Sequence, residues 1–396
     1  MAIDFLVLGA GMAGAAAGYF LADHGTVVIL EREDAPGYHA TGRSAALYTE
    51  TLGNAAIRAL TVASGRFFRT PPQGFAEVPL LRPRGLMMVA PVADKARFDE
   101  AVALGRRFAP SLSVLTPKQA LALCPALRER WLGHAFLEPD AMDMDVHAIH
   151  QGFLKGLRAK GGRIVTGAEA RAIARRGGAW QVATAAGSFA APILVDAAGA
   201  WADEIAALAG LPPVGLTPLR RTAFIIEPPP GFAVDAWPLV GDIAQSFYFK
   251  PETGKLLVSP ADETPLPPQD VQPDEIDIAL AAERLAAATT IAFRSVQRKW
   301  AGLRTFAPDK TLVIGPDPAA PGFVWMAGQG GYGIQTAPAA GAALAALAAG
   351  GALPAELTAL GWSRSSSCRT VFAHKRPAIP PALAEVLPPA APASRR

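Results

Sequence analysis

Three glycines near the start of the chain have the spacing of a phosphate-binding turn. Gly9, Gly11 and Gly14 form G-x-G-x-x-G directly after the apolar run DFLVLG and before an alanine-rich stretch. The first glycine permits a tight turn, the second lets the backbone approach a pyrophosphate, and the third lets a helix lie close to a strand. Glu31 ends the next apolar run, and its carboxylate can accept hydrogen bonds from a ribose diol. The pattern predicts a dinucleotide-binding site.

A second segment, TGRSAAL at 41–47, distinguishes FAD from NAD. An NAD enzyme does not need a Gly-Arg-Ser loop there, whereas FAD is longer and its flavin needs a second supporting segment. We expect the backbone and Ser44 to contact pyrophosphate and flavin, and Ala45 and Ala46 to let the chain lie against the ring. The alternative for Arg43 is a surface cation that pairs with Glu33 or Asp34.

The composition excludes several other classes of protein. The chain has 396 residues, a formal net charge of +3 and 51% hydrophobic residues, enough for large cores and too many for a disordered protein. The charge is too small to predict a nucleic-acid partner, and no basic aromatic stripe occurs. Cys124 and Cys368 form no disulfide framework or metal spacing, and we interpret His147 and His150 as helix surface or edge of the core. No metal site is predicted.

Membrane association is also not indicated by the hydropathy pattern. No apolar run approaches the ~18 residues that a spanning helix needs. The first apolar run lacks a cationic segment before it and ends in glycines, which is typical of a strand and not of a signal peptide. We therefore expect a cytoplasmic protein without a transmembrane segment, peripheral to the membrane if a quinone reoxidises its cofactor.

The distribution of strand and helix patterns predicts an α/β fold with an α+β second domain. Strand–turn–helix patterns occur at 4–31, 192–210 and near the end, and a helix followed by a strand occurs at 143–165, whereas 216–303 holds short alternating strands bounded by Pro and Gly. The simplest architecture is a Rossmann-like FAD-binding domain with an inserted antiparallel-sheet substrate domain. The predicted bounds are 1–78, 140–215 and 304–360 for the FAD-binding domain, 79–139 and 216–303 for the substrate domain, and 361–396 for a tail rich in Pro, Ala and Arg.

Five segments together resemble the family of FAD-dependent D-amino acid oxidases and glycine oxidases, the DAO family. They are VLGAGMAGAAAGYFLADHGTVVILERE, GYHATGRSAALYT, VDAAGAW, WAGLRTF and GQGGYGIQT. The resemblance runs in the same order from about residue 3 to about residue 350. Within the family, the segments are most similar to those of bacterial D-arginine dehydrogenases.

The resemblance implies a non-covalently bound FAD and oxidation of a Cα–N bond by hydride transfer from Cα to flavin N5. The implied FAD-contact positions are Gly9, Gly11, Gly14, Glu31, Arg32, Thr41, Arg43, Ser44, Ala46, Gly302, Gly331, Gly333, Ile334 and Gln335. On the substrate side, Tyr248, Arg221 and Arg304 fall on carboxylate-binding positions. Gly331 falls where a backbone carbonyl holds the substrate amine. Covalent attachment of the flavin through His39 is the alternative, although the context HATGRS resembles the non-covalent branch.

The chemistry of these side chains agrees with the implied roles. A guanidinium binds a carboxylate bidentately and a phenol adds a third donor, so two arginines and a tyrosine can orient an amino acid over a flavin. For each arginine the alternative is a salt bridge to an acid at a domain interface. Arg304 lies in an apolar strand pattern where burial demands a partner, which favours a ligand carboxylate. The sequence alone does not separate Arg221 from the adjacent Arg220 as the carboxylate-binding residue.

Three substitutions relative to the D-arginine enzymes point to a different substrate. Leu86 stands where they carry a guanidinium-binding carboxylate, Leu47 where they carry a histidine, and Leu52 where they carry a lid tyrosine. Leu239 and Val240 are expected near the same side-chain pocket. Glu50 could replace the missing carboxylate, but we interpret it as a surface acid on a loop. The sequence therefore predicts oxidative deamination of D-amino acids with apolar side chains to 2-imino and 2-oxo acids.

Two other functions stay open at this point. One is oxidation of glycine, sarcosine, a related amine or a 2-hydroxy acid on the same scaffold. The other is a non-catalytic flavoprotein. The sequence does not distinguish oxygen from a quinone as the acceptor that reoxidises the flavin.

Overall fold

The structure is a computed structural model that describes residues 2–363. Apart from its first three residues, the predicted tail at 361–396 lies outside the described residues, as does Cys368. None of the helices within the described range is long and apolar enough to cross a membrane.

The described part of the chain alternates helices and strands throughout. Short 3₁₀ turns occur at Val92–Asp94 and Gly199–Trp201. The helices are α1 Met12–Leu21, α2 Ala55–Arg69, α3 Lys95–Gly105, α4 Pro117–Leu123, α5 Val146–Ala159, α6 Ala202–Leu208, α7 Glu275–Ala288, α8 Ala337–Ala348 and α9 Ala355–Ala359. The strands are β1 Phe5–Leu8, β2 Val27–Leu30, β3 Leu47–Tyr48, β4 Leu81–Pro83, β5 Leu86–Ala90, β6 Ser113–Leu115, β7 His134–Glu138, β8 Met142–Met144, β9 Arg163–Val165, β10 Ala172–Arg176, β11 Ala179–Thr184, β12 Gly187–Ala191, β13 Ile193–Asp196, β14 Thr217–Ile226, β15 Leu239–Asp242, β16 Tyr248–Glu252, β17 Lys255–Ser259, β18 Thr264–Pro265, β19 Arg298–Phe306, β20 Val313–Pro316 and β21 Phe323–Ala327.

A six-stranded sheet in the order β20-β21-β13-β1-β2-β9 forms the first half of the molecule. All its neighbouring strands run parallel except β20 and β21. Strand β1 is buried along its whole length because both faces of the sheet are covered. Phe5 and Val7 pack toward α1 and α8, and Leu6 and Leu8 pack toward α6 and the hairpins β10–β12. This is the predicted Rossmann-like α/β unit.

A nine-stranded sheet forms the second half, in the order β18-β14-β17-β16-β15-β5-β7-β6 with β19 paired to β14. The pairing is antiparallel as predicted, with one exception, the parallel pair of β15 and β5. Strands β14 and β19 run antiparallel in register from Thr217↔Phe306 to Ile225↔Arg298. A three-stranded sheet of β3, β8 and β4 joins segments at 47–48, 142–144 and 81–83. The fold class predicted from the sequence is confirmed.

The bounds of the two predicted domains stay a prediction. Strand β19 continues through residue 304, where one bound was placed, and ends at Phe306. The region 92–130 contains helices α3 and α4 and also strand β6.

Candidate active site

A cavity of about 470 Å³ has walls from both large sheets. Its volume lies in the range of about 300–1,000 Å³ typical of small-molecule and cofactor sites. Backbone-rich segments at 8–13, 37–49 and 197–201 line one end. Side chains from β14, β16 and β19 line the other end. We call these the cofactor end and the substrate end.

The predicted glycine loop lies at the cofactor end, where α1 begins. Gly11 caps α1 without a side chain, and no acidic residue occupies the first turn, so the positive end of the helix dipole faces the cavity. A Cβ on Gly14 would lie 1.8 Å from the carbonyl oxygen of Gly9. Only glycine at this position lets α1 pack so closely on the end of β1. The arrangement has the form of a pyrophosphate site.

Glu31 and Thr41 hold the glycine loop in place. The buried carboxylate of Glu31 accepts hydrogen bonds from the backbone N–H of Ala10 at 2.7 Å and of Glu33 at 3.0 Å. The hydroxyl of Thr41 accepts one from Met12 N–H at 2.9 Å. Each carboxylate oxygen of Glu31 can accept a second bond, which leaves capacity for a ribose hydroxyl. Glu31 lines the cavity beside the glycine loop, and its role as a ribose acceptor stays a prediction.

Arg43 does not pair with Glu33 or Asp34, so the surface interpretation of this residue is wrong. Its guanidinium donates to the carbonyls of Val271 and Ala301, each at 3.1 Å, and to the carboxylate of Asp270. The indole of Trp300 donates back to the Arg43 carbonyl at 2.9 Å. These bonds tie the loop at 37–49 to β19, so Arg43 joins the two halves of the molecule. Arg43, Ser44 and Ala46 all line the cavity.

The cofactor end also carries an aromatic residue that the sequence did not single out, Trp201, beside the predicted Arg32 and His39. Trp201 lines the cavity, with the guanidinium of Arg32 4.7 Å from its ring centroid and the His39 ring at 4.6 Å. The Nε2 atom of His39 lies 2.9 Å from a carboxylate oxygen of Glu33. His39 is therefore engaged with an acid within the chain.

The segment Gly331–Gln335 closes the cavity between its two ends. A Cβ on Gly331 would lie 1.5 Å from Nη2 of Arg304, so the missing side chain makes room for that guanidinium. Gln335 is buried; its side-chain oxygen accepts from Thr49 N–H at 3.3 Å and its nitrogen donates to the Thr61 hydroxyl at 3.0 Å. Gly333, Ile334 and Gly302 also line the cavity.

The structure brings Arg221, Arg304 and Tyr248 together at the substrate end. Arg221 and Arg304 come from the paired strands β14 and β19, and Tyr248 begins β16. Strand alternation separates Arg221 from its neighbour. Arg220 points away from the cavity to a buried acid cluster, with Asp277 at 2.9 Å and Asp274 at 3.3 Å.

Both cavity arginines share a carboxylate that the sequence analysis missed. Glu263 Oε1 lies 3.1 Å from Nη2 of Arg221 and 3.7 Å from Nη1 of Arg304. Burial, followed by the charge of Arg221, lowers the pKa of Arg304 to about 10. The partner that burial demands for Arg304 is thus present within the chain.

Four of the five predicted pocket residues line the cavity: Leu47, Leu52, Leu86 and Leu239. Leu86 and Leu239 are neighbours across the parallel pair of β5 and β15, and form one apolar cluster with Leu47 and Tyr248. The prediction for Val240 is wrong. Alternation along β15 turns it into the core on the other face of the sheet, where it is fully buried.

Beneath the loop that carries Leu47 and Leu52 lies a buried acid, Glu138. It accepts hydrogen bonds from the hydroxyls of Thr49 at 2.6 Å and Thr51 at 2.5 Å, and from Glu50 N–H at 2.7 Å. Burial raises the pKa of Glu138 despite these donors. Glu50 is not among the cavity-lining residues; its carboxylate accepts from the Tyr48 hydroxyl at 2.6 Å.

His150 lies deeper than predicted. It is buried on α5, and its Nε2 is 2.8 Å from the carbonyl oxygen of Ala10 in the glycine loop. Burial lowers the pKa of His150. Its contact supports the cofactor end from below. No group of three or more metal-ligating side chains occurs within residues 2–363.

The fold, the glycine loop and the two-ended cavity define an FAD-dependent oxidoreductase. The chain belongs to the DAO family, because the family model described as FAD dependent oxidoreductase matches residues 4–347. The buried acid, the uncapped helix end and the small side chains of the cofactor end fit that cofactor.

The first curated relatives match a smaller part of the chain than the family model does. The chain is 32% identical to the FAD-dependent oxidoreductase domain-containing protein 1 of Bos taurus over 171 residues, 39% of this chain and 35% of that protein. It therefore spans about a third of the length of the first curated relatives it matches.

Two solved structures match over nearly the whole chain. Glycine oxidase from Geobacillus kaustophilus has a TM-score of 0.77 at 21% identity, covering 91% of this chain and 98% of that one. L-proline dehydrogenase from P. horikoshii has a TM-score of 0.76 at 20% identity, covering 90% and 96%. At these identities the likeness shows the fold. The particular resemblance to D-arginine dehydrogenases is not confirmed.

Proposed function

We propose that this chain catalyses the FAD-dependent oxidative deamination of D-amino acids with apolar side chains to 2-imino acids, which water converts to 2-oxo acids. One observation carries the proposal: Arg221, Arg304 and Tyr248 converge on a cavity that is also lined by the apolar cluster of Leu47, Leu86 and Leu239. An amino acid with an apolar side chain matches both groups of residues, because its carboxylate can bind the arginines while its side chain contacts the leucines.

The cofactor end holds FAD without a covalent bond. Bound FAD supplies a hydride acceptor at N5 of its flavin ring. The glycine loop and the N-terminus of α1 receive the pyrophosphate, and Glu31 receives the ribose. The side chain of His39 stays paired with Glu33 and is not the attachment point of a flavin.

The substrate end orients the amino acid. The guanidinium of Arg304 binds the carboxylate, Arg221 adds a second cation and the Tyr248 hydroxyl adds a third donor. The carbonyl of Gly331 accepts a hydrogen bond from the amine, which must be neutral for hydride to leave Cα. No strong protein base is needed, so the contribution of the protein is mainly positioning.

The apolar wall selects the side chain of the substrate. Each substrate methylene buried against the leucines gains about 0.8 kcal/mol. A substrate guanidinium would lose its water against these leucines without a partner, because Leu86 offers no charge and Glu50 lies outside the cavity. The carboxylate of Asp242, which also lines the cavity, already accepts two hydrogen bonds from Ser246. Oxygen or a quinone then reoxidises the flavin, and we place the reaction in the cytoplasm.

A second candidate is oxidation of glycine, sarcosine or another secondary amine. The names of two matched structures, glycine oxidase and L-proline dehydrogenase, favour it. The leucines make no polar contact with a substrate side chain, so they do not exclude substrates that lack one. A 2-hydroxy acid would use the same carboxylate contacts.

The deciding experiment is an anaerobic reduction screen. The purified yellow protein is mixed with D- and L-amino acids, sarcosine and 2-hydroxy acids, and the loss of flavin absorbance is followed. We expect bleaching with D-Leu, D-Met or D-Phe. Faster bleaching with sarcosine or glycine would favour the second candidate, and no bleaching with any compound would leave a non-catalytic flavoprotein.

A further inference from the structure

The carboxylate of Glu263 contacts the same arginine pair that a ligand carboxylate would bind, although Glu263 itself is not among the cavity-lining residues. Its Oε1 is 3.1 Å from Arg221 and 3.7 Å from Arg304, and both guanidinium groups line the cavity. A charged acceptor within hydrogen-bond distance of Arg221 satisfies the same donor that a substrate carboxylate would use.

The backbone before Glu263 is anchored, so the position of this side chain is set by the fold. The carbonyl of Asp262 accepts from Nε of Arg221 at 2.9 Å, and its carboxylate accepts from Thr222 N–H at 2.6 Å. Ala261 has a left-handed backbone with φ of 52°, which turns the chain into this contact. The segment between β17 and β18 is therefore bonded to β14, which holds Glu263 beside Arg221.

The side chain of Glu263 is nevertheless exposed enough to move away from the arginines. It is 36% exposed, whereas the side chains of Arg221 and Arg304 are 13% and 20% exposed. Its second oxygen lies 3.7 Å from Nζ of Lys310, whose side chain is 60% exposed. An incoming carboxylate can thus take the buried cations while Glu263 turns to solvent beside Lys310.

We propose that Glu263 is an internal competitor of the substrate carboxylate. It neutralises one of the two cavity arginines before substrate binds, and the carboxylate of the substrate must displace it. Glu263 thereby sets the affinity of the site for carboxylates. The inference rests on the proposed function only in taking Arg221 and Arg304 as the carboxylate site.

Benzoate binding to the FAD-loaded protein, measured by calorimetry, tests the proposal. Glu263→Gln removes the competing charge and should lower the Kd for benzoate about tenfold, the scale of one charge-assisted hydrogen bond. Glu263→Ala should shift the Kd in the same direction. Glu227→Gln is the matched control, since the ion-pair partner of Glu227 is Lys255 and not a cavity arginine; it should leave the Kd unchanged. An unchanged or higher Kd in both Glu263 variants overturns the proposal.

Arg304→Leu separates this inference from the proposed function. If it raises the Kd for benzoate while the Glu263 variants have no effect, the carboxylate site stands and the competitor role is rejected. If it leaves the Kd unchanged, benzoate does not use the arginine pair, and both the carboxylate site and the competitor role fail. With an apolar D-amino acid, Glu263→Gln should lower KM and leave kcat close to its wild-type value; a fall in kcat with unchanged KM contradicts displacement.

Discussion

The cofactor end and the substrate end of the cavity are built from different chemical groups. At the cofactor end, glycines and alanines form much of the wall, and the carboxylate of Glu31 is held by two backbone donors. At the substrate end, two arginines and a group of leucines form the wall, and the carboxylate that pairs with the arginines, Glu263, is 36% exposed. A Cβ added at Gly9 or Gly14 of the first end would collide with backbone, whereas the second end can be altered one side chain at a time. One fold can therefore keep its cofactor while its substrate changes.

The largest effect is expected from an added methyl group at the cofactor end. Gly14→Ala places a Cβ about 1.8 Å from the carbonyl oxygen of Gly9, which is backbone and cannot move aside. We expect a loss of about 4 kcal/mol in the free energy of unfolding, with loss of bound FAD. Gly18→Ala in the same helix meets the flexible end of Ile29 at 2.8 Å and serves as the matched control. Denaturant unfolding and the flavin absorbance of the purified variants measure both effects; equal losses would show that the rigid contact is not the cause.

A smaller effect is expected from removal of a charge at the substrate end. Arg304→Leu should weaken carboxylate binding by about 3 kcal/mol, because the substrate carboxylate loses a guanidinium partner whose side chain is only 20% exposed. The fold and the bound FAD should persist. Arg298→Leu, an exposed position on the same strand, is the control and should leave KM unchanged. Steady-state kinetics with an apolar D-amino acid supply the measurement, and an unaltered kcat/KM for Arg304→Leu would remove this residue from the site.

One substitution in the leucine cluster should change the substrate preference from apolar to cationic D-amino acids. Leu86→Glu places a carboxylate in the leucine cluster and should raise the ratio of kcat/KM for D-Arg over D-Leu at least tenfold, about 1.4 kcal/mol. Leu86→Gln has similar volume without the charge and should not produce this gain for D-Arg. A wild-type protein that already prefers D-Arg or D-Lys would contradict the place given to Leu86, and Glu50 would be the next residue to substitute.

The smallest effect concerns Glu138, beneath the loop of the substrate end. Burial raises its folded-state pKa above the ordinary 4.5, so the folded protein is disfavoured as pH rises from 4.5 through that higher pKa. Glu138→Gln does not titrate. Its free energy of unfolding relative to wild type should therefore increase between pH 4.5 and pH 8, by about 1 kcal/mol per pKa unit of the shift. Denaturant unfolding of both proteins at several pH values checks this, and a constant difference would mean that Glu138 is equally ionised in both states.

The two ends also differ in how far the sequence predicts them. The glycine loop and Glu31 follow a local pattern whose geometry is set by strand, turn and helix, and the structure places them as predicted. Arg221 could not be separated from Arg220 until strand alternation assigned their faces, and Val240 was misplaced by one position along β15. Side-chain direction reverses at each residue of a strand, so an error of one position changes the face.

Other parts of the site depend on contacts that no local pattern reports. Glu263 lies in the unremarkable run ADETP and reaches the arginines only because its loop folds back on β14. Arg43 finds its acidic partner 227 residues away, at Asp270, although Glu33 and Asp34 are close in sequence. Such pairs are set by tertiary structure. The local pattern of the glycine loop and Glu31 was therefore predictable, whereas the long-range partners of Arg43 and Glu263 were not.

The bond between Thr49 and Gln335 has a consequence for biosynthesis. The two residues are 286 positions apart, and the segment Gly331–Gln335 completes the cavity wall to which the early glycine loop contributes. Because translation proceeds from the N-terminus, the ribosome has to release most of the chain before this wall can close. The glycine loop emerges early but stays without its opposite wall until then. We therefore expect flavin capture to be one of the last steps in the maturation of the chain, and we expect a chain truncated before Gly331 not to retain the cofactor.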